Sequence, residues 1–262
     1  MDVKAKEIIE VIENIAPVEL QECWDNSGLQ IGDSEEIING ILFVMDVTDK
    51  SINYAIKNNL NFIISHHPLF FEGVKSINFS NYKGNLIKKI IENNVVIYSS
   101  HTCLDKAEFG VNQVLAQLFK LSDVKKLADY EENNIGVIGK FDGSLNDLVK
   151  IIKDITPIQN VNFYGRKKDH INKIGVIGGS GSSGIDLCVR LGCDCLITAD
   201  IKHHDGQKAY ENEILLIDIQ HFYSEYPVLN MLKDNMERIF RNMEIKIFNE
   251  PVYLINDLID LD

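Results

Sequence analysis

The sequence predicts an α/β protein of largely parallel sheets covered by helices. Three observations carry that expectation. Short β-rich runs alternate with helical patterns along the chain. Several of those runs (NFIIS, VVIYS, KIGVIG, ILLIDI) are continuously apolar, as strands covered on both faces are. The 262 residues, 45% hydrophobic and 25% charged, suffice for one large or two modest domains with a core.

The elements follow in chain order. Val3, Ile8, Val11, Ile12 and Ile15 form one helical stripe that stops before Pro17. A strand is expected over 40–47, a helix over 50–58, a strand over 60–65, a helix over 85–92 and a strand over 95–100. A helix over 111–119 has Gly110 or Asn112 near its start. The polar stretch 121–134 reads as the internal boundary, dividing the chain into lobes 1–125 and 126–262. In the second lobe, strands are expected over 134–139, 173–178, 194–199 and 213–219. Helices over 145–155, 185–191, 205–212 and 228–242 lie between and after them, the last being the longest. Ser144 with Asp147 three residues on resembles a capping box. The tail NEPVYLINDLIDLD reads as an edge strand and an acidic terminus.

The formal charge of −13 disfavours non-specific nucleic-acid binding, because an acidic chain repels phosphate backbones. A small anionic substrate then requires cations concentrated locally. No apolar run approaches the roughly 18 residues of a membrane span. The acidic amphipathic start is not a signal-peptide pattern, so a cytoplasmic protein is expected. Five scattered cysteines (Cys23, Cys103, Cys188, Cys193, Cys195) suit a reducing compartment better than a disulfide framework. Cys193-x-Cys195 lies in an apolar run and reads as strand rather than half a zinc site.

Four of the seven histidines stand at or just after the C-terminal ends of expected strands. Ser65-His66-His67-Pro68 follows the first. On a regular strand adjacent side chains point apart, but at a strand end before proline both imidazoles can converge. Ser100-His101-Thr102-Cys103-Leu104-Asp105 follows the second, and Asp218-Ile219-Gln220-His221-Phe222-Tyr223-Ser224-Glu225 the third. In both, a histidine precedes a carboxylate by four residues, which on a helix shares one face. Pro227 places the start of regular helix close to Glu225, with His221 still at the strand end.

Ligands in open α/β sheets bind outside the carboxyl ends of strands. Three strand ends therefore deliver His66, His67, Asp105, His221 and Glu225 to that side. Five ligands exceed one tetrahedral zinc but suit two divalent ions about 3.5–4 Å apart with one bridging carboxylate. Two ions less two carboxylates leave a local charge near +2, enough for a bridging hydroxide or an anionic substrate. A rival signal is Gly179-x-Gly181-x-x-Gly184 with Asp200 21 residues after its first glycine, a formal dinucleotide fingerprint. Close strand-helix packing or anion binding by the loop amides would explain the same glycines. His203 and His204 could line the same cleft or be surface groups.

These motifs, in this order, resemble the GTP cyclohydrolase 1 type 2 homologues, the Nif-three-like dinuclear-metal proteins. The likeness begins at Cys23-Trp24-Asp25-Asn26-Ser27-Gly28-Leu29-Gln30-Ile31-Gly32-Asp33 and continues through Val44-Met45-Asp46-Val47-Thr48 and Ile63-Ile64-Ser65-His66-His67-Pro68-Leu69-Phe70. It includes His101 to Asp105, Gly110-Val111-Asn112, Thr198-Ala199-Asp200 and the segment ending at Glu225. It implies a two-lobed fold with mostly parallel sheets flanked by helices, and a toroidal homohexamer. It implies metal ligation by His66, His67, Asp105, His221 and Glu225, with Glu225 bridging, and places His101 beside the metals. Three positions depart from the family pattern: Gln220 stands where glycine is usual, Cys103 where asparagine is usual, and Ala199 where glycine is usual.

The function expected is a dinuclear metal-dependent hydrolase acting on a nucleotide or related small anion through a bridging hydroxide. His101 or His204 would shuttle a proton. Zinc, iron, manganese, nickel and cobalt all suit the donor set. Two alternatives use the same sequence differently. One is a non-enzymatic protein that stores, delivers or senses a metal. The other is a nicotinamide oxidoreductase built on the glycine motif.

Overall fold

The computed structural model describes residues 2–132, 134–158 and 161–252. In chain order its elements begin with α1 (Ala5–Ile15), β1 (Gly28–Ile31), β2 (Gly40–Val44), α2 (Asp49–Lys57) and β3 (Phe62–Ser65). Next come α3 (Tyr82–Glu92), β4 (Val96–Ser99), α4 (Thr102–Lys106) and α5 (Val111–Leu118). Then follow β5 (Ser122–Lys126), β6 (Val137–Ser144), α6 (Leu145–Ile155), β7 (Asn162–Gly165) and β8 (His170–Ser180). The series closes with α7 (Ile185–Arg190), β9 (Cys195–Ala199), α8 (His203–Glu211), β10 (Leu215–Asp218), α9 (His221–Glu225), α10 (Pro227–Ile239) and β11 (Glu244–Ile247).

The chain forms two compact units. One comprises Met1–Glu108 and the chain from Val228 onward, and the other Phe109–Pro227. The sequence reading placed a single division at residue 125. Within the polar stretch read as the internal boundary, Ser122–Lys126 is an edge strand, β5, paired antiparallel with β6 of its own unit. The C-terminal part returns instead to the first unit, where β11 pairs parallel with β2, Glu244 opposite Gly40.

The first unit holds a five-stranded sheet in the order β1-β4-β3-β2-β11, parallel except at the β1 edge. Because side chains alternate along a strand, Leu42, Val44, Ile63 and Ile97 share one face, with Ile52 and Ala55 of α2 and Leu86 and Ile90 of α3. On the other face Tyr98 is fully buried and donates its hydroxyl to Glu13 of α1 at 3.0 Å. β2, β3 and β4 are buried along their whole lengths, which explains their continuously apolar sequence.

The second unit holds a six-stranded sheet in the order β5-β6-β8-β9-β10-β7. Only β8, β9 and β10 run parallel. β6 lies antiparallel to β8, β5 to β6 and β7 to β10. This sheet is mixed, where strand-helix alternation had suggested a parallel one. β5 and β7 are the two short edge strands, both too polar and exposed for an apolar-run reading to find. Ser144 caps α6 as expected, accepting from the amide of Asp147, whose carboxylate accepts from the Ser144 amide at 3.0 Å.

β11 lies before the tail read as an edge strand, and residues 253–262 of that tail lie outside the described residues. Among the described residues no helix is long and apolar enough to cross a membrane.

Candidate metal centre

Parallel pairing carries His66 and His67 beyond the formal end of β3. Their amides donate to the carbonyls of Val44 and Met45, both at 3.0 Å, and the Ser100 amide donates to Ser65. The Ser65 and Ser99 hydroxyls meet at 2.7 Å and lock the two strand ends together. The two imidazoles converge, with ring centroids 5.0 Å apart, and His101 joins them at 5.2 and 5.6 Å. The ligand atoms of His66, His67 and His101 all lie within 4.8 Å of one another.

Each ring is held by its Nδ1. His66 Nδ1 faces the Ser100 carbonyl at 3.0 Å, His67 Nδ1 the Asp46 carboxylate at 2.9 Å, and His101 Nδ1 the Asp25 carboxylate at 2.8 Å. An acceptor at Nδ1 fixes the tautomer that leaves Nε2 as the basic nitrogen, as in metal-ligating histidines. Asp105 on α4 brings Oδ1 to 3.7 Å from His66 Nε2. That is too long for a hydrogen bond, but close to the ~3.4 Å edge of a tetrahedral zinc site with 2.0–2.1 Å bonds.

Asp25 anchors this cluster. Its side chain has no solvent exposure. It accepts from the His101 ring, the Thr102 amide at 3.0 Å and the Thr102 hydroxyl at 2.5 Å. The Ser27 hydroxyl and the Asn26 amide complete its shell. Burial alone would raise its pKa, but the hydrogen bonds from His101 and Thr102 outweigh this and hold it well below the usual carboxylate range.

The second unit presents a pair of its own, His221 and Glu225. His221 and Glu225 begin and end the five-residue α9, so the helix starts four residues earlier than Pro227 suggested. Pro227 instead opens the next helix. The i,i+4 spacing brings His221 Nε2 to 3.2 Å from Glu225 Oε2, on a carboxylate that is only 4% exposed. His221 Nδ1 meets Asp200 Oδ2 at 2.6 Å. Burial opposes charge on His221, but Glu225 and then Asp200 outweigh it and push the pKa up to about 9. Two carboxylates thus demand a positive charge at that ring.

The glycine loop serves this pair. An alanine Cβ at Gly179, where φ is +63°, would lie 2.2 Å from Glu225 Oε1 and 3.3 Å from His221 Nε2. The loop amides are engaged by side chains. Gly178 donates to Asn112, Gly179 to Ser224 and Gly181 to Thr198, at 2.8–2.9 Å. The helix behind it, α7, has six residues. Asp200, the acidic member of that formal fingerprint, is the partner of His221. The dinucleotide reading is therefore set aside in favour of close packing.

His203 and His204 lie exposed in the first turn of α8, their rings 5.2 Å apart. Among the described residues, no group of three metal-capable side chains includes either.

Sequence reasoning missed Asp25, Asp46 and Asp200 as partners of Nδ1. The signal was available, since a ligating histidine needs an acceptor on its second nitrogen and all three aspartates stand in the quoted motifs. Gln220 is a further case. It has φ +63° and ψ 142°, a region that glycine alone enters without strain, and its side-chain oxygen is buried without a hydrogen bond. Gln220→Gly is expected to stabilise the protein by about 1 kcal/mol, the relief of roughly 1–3 kcal/mol exceeding the entropy cost of glycine. A urea midpoint no higher than wild type would sink that account.

A family model described as Duf34/NIF3 (NGG1p interacting factor 3) matches residues 3–252. The GTP cyclohydrolase 1 type 2 homolog of Clostridium acetobutylicum is 32% identical over 266 residues, covering 99% of this chain and 98% of that protein. Among solved structures, Staphylococcus aureus hypothetical protein SA1388 superposes with a TM-score of 0.86 at 29% identity, covering 97% of this chain and 100% of that one. Reduced HcgD from Methanocaldococcus jannaschii does so with a TM-score of 0.84 at 30% identity, covering 95% and 99%.

Proposed function

The chain belongs to the Duf34/NIF3 family, and on that premise we propose that it is a dinuclear metal-dependent hydrolase acting on a nucleotide or related small anion. The observation that carries the reading is the common arrangement of His66, His67, His101 and His221. Each is pinned at Nδ1 by an acceptor 2.6–3.0 Å away. Imidazoles tied in this way, beside the carboxylates of Asp105 and Glu225, match the donor chemistry of zinc, iron, manganese, nickel or cobalt.

In this proposal His66, His67 and Asp105, and in the second unit His221 and Glu225, are the residues that would hold divalent ions. Bound there, the ions would supply Lewis-acid polarisation and an acidified water for hydrolysis. Asp25, Asp46 and Asp200 orient the imidazoles. His101, with Nδ1 committed to Asp25, exchanges protons through Nε2 and is favoured over the exposed His204 for that role. The name of the Clostridium acetobutylicum relative supports a GTP-like substrate. The five cysteines are free thiols, which fits work in the cytoplasm. Membership of the family supports a homohexamer, which light scattering would weigh.

Elemental analysis of the purified chain is expected to find about two metals per protomer, falling to about one or fewer in Glu225→Ala. No more than trace metal after reconstitution with several divalent ions would end the proposal. Two metals without turnover of GTP, other nucleotides or phosphoesters would leave a protein that stores or senses metal.

A further inference from the structure

Trp24 and Phe71 stand out at the edge of the histidine cluster. Both are more than half exposed, at 59% and 53%, although large aromatic rings normally gain free energy by burial. Both meet the same residue. The Trp24 ring lies 6.0 Å from His101 at 72°, and the Phe71 ring 5.6 Å from it at 90°. His101 in turn touches the rings of His66 and His67. A molecule covering either aromatic face therefore lies directly against the cluster.

Their positions are fixed by the backbone. Asp25 is drawn inward by five donors, so its neighbour Trp24 is turned outward. The Asn26 side chain donates to the Phe70 carbonyl at 2.7 Å, and Gln30 Oε1 accepts from the Phe70 amide at 3.3 Å. Two hydrogen bonds thus staple the segment carrying Trp24 to the segment carrying Phe71. Preorganisation of this kind lowers the ordering cost of binding.

We propose that Trp24 and Phe71 form a pre-set aromatic wall that receives the planar ring of a nucleobase-class substrate beside the histidine cluster. Base stacking suits such a wall because every nucleobase has a π-face, and the ring would be held next to His101. The inference rests on the hydrolase reading only for what happens to the bound ring. Recognition by the wall requires neither metal nor turnover.

Trp24 is the chain's single tryptophan, so its fluorescence reports on the wall alone. The full chain, both chelator-treated and zinc-loaded, is titrated with guanosine, GTP, ribose 5-phosphate and tripolyphosphate. Guanosine and GTP are expected to change Trp24 emission saturably, and the two ring-free compounds to leave it unchanged. Phe71→Ala should weaken guanosine about tenfold, and Phe71→Tyr should restore it. Phe71 is exposed, so neither variant removes core packing. The proposal is overturned by an absent guanosine response, by an equal response to tripolyphosphate, or by an unchanged affinity in Phe71→Ala. The two readings fail separately. Guanosine binding to a chain that takes up no more than trace metal on reconstitution with several divalent ions removes the hydrolase, whereas two metals without a guanosine response remove the wall.

Discussion

Gly179→Ala is expected to weaken metal retention by the His221–Glu225 pair. The new methyl group would lie 2.2 Å from Glu225 Oε1 and 3.2 Å from its carboxyl carbon. Glu225 has little room to yield. It is 3% exposed, and a Cβ at the preceding Gly178 would already meet its Cγ at 3.6 Å. The backbone is also held close, because the Gly179 amide donates to Ser224, the residue before Glu225. Displacing a ligand should cost at least the 10–100-fold in metal affinity typical of losing a supporting partner. The left-handed φ adds roughly 1–3 kcal/mol of strain. Gly192→Ala separates the two effects. Gly192 has φ +71° and nothing within 4 Å of its added Cβ, so it carries the strain without the collision. Both variants should melt lower, and only Gly179→Ala should lose metal on dialysis. Equal metal content in the two would show that Gly179 makes no room for Glu225.

Asp25→Ala is expected to be the most destabilising change in the first unit, by about 3 kcal/mol or more. It leaves the His101 N–H, the Thr102 amide and the Thr102 hydroxyl without their acceptor in a site that admits no solvent to the Asp25 side chain. Asp25→Asn keeps the shape and one acceptor oxygen, but its amide nitrogen cannot accept from Thr102, so only part of the loss should return. The pH dependence has a defined sign. The folded carboxyl sits well below its unfolded value near 3.9, so its stabilisation is fully present above about pH 5. It is lost progressively as pH falls through the folded value. Urea midpoints should therefore show a constant gap between wild type and Asp25→Ala at neutral pH, narrowing in acid. A gap below about 1 kcal/mol at pH 7 would reduce the network to the worth of a surface ion pair.

The fold was legible where burial on both faces leaves an apolar run. β2, β3, β4, β8, β9 and β10 all fall on expected strands. The strands that escaped are edges. β1, β5, β7 and β11 each pair with a single neighbour and carry polar residues such as Gln30, Asp123, Asn162 and Lys246. A strand's hydrogen-bonded neighbour is a tertiary fact, and periodicity does not encode it. For the same reason, the return of β11 to the first unit could not be read from composition. At the candidate site, strand ends and i,i+4 spacing located His66, His67, His101 and the His221–Glu225 pair. The aspartates behind the imidazoles went unassigned because an acceptor for Nδ1 has no fixed spacing. Asp25 precedes its histidine by 76 residues, whereas Asp200 precedes His221 by 21.

The late return of β11 sets an order of events during synthesis. The strands of the second unit are all made before the ribosome reaches Glu244, and that unit can close on itself while the nascent chain grows. The first sheet cannot. Until its last strand emerges, the fully apolar Gly40–Val44 strand presents an unpaired backbone edge, the kind of template on which unfinished chains aggregate. A stalled or truncated product ending just before residue 244 is therefore a natural client for holdase chaperones, even though more than nine-tenths of the chain, by residue number, would already be in place.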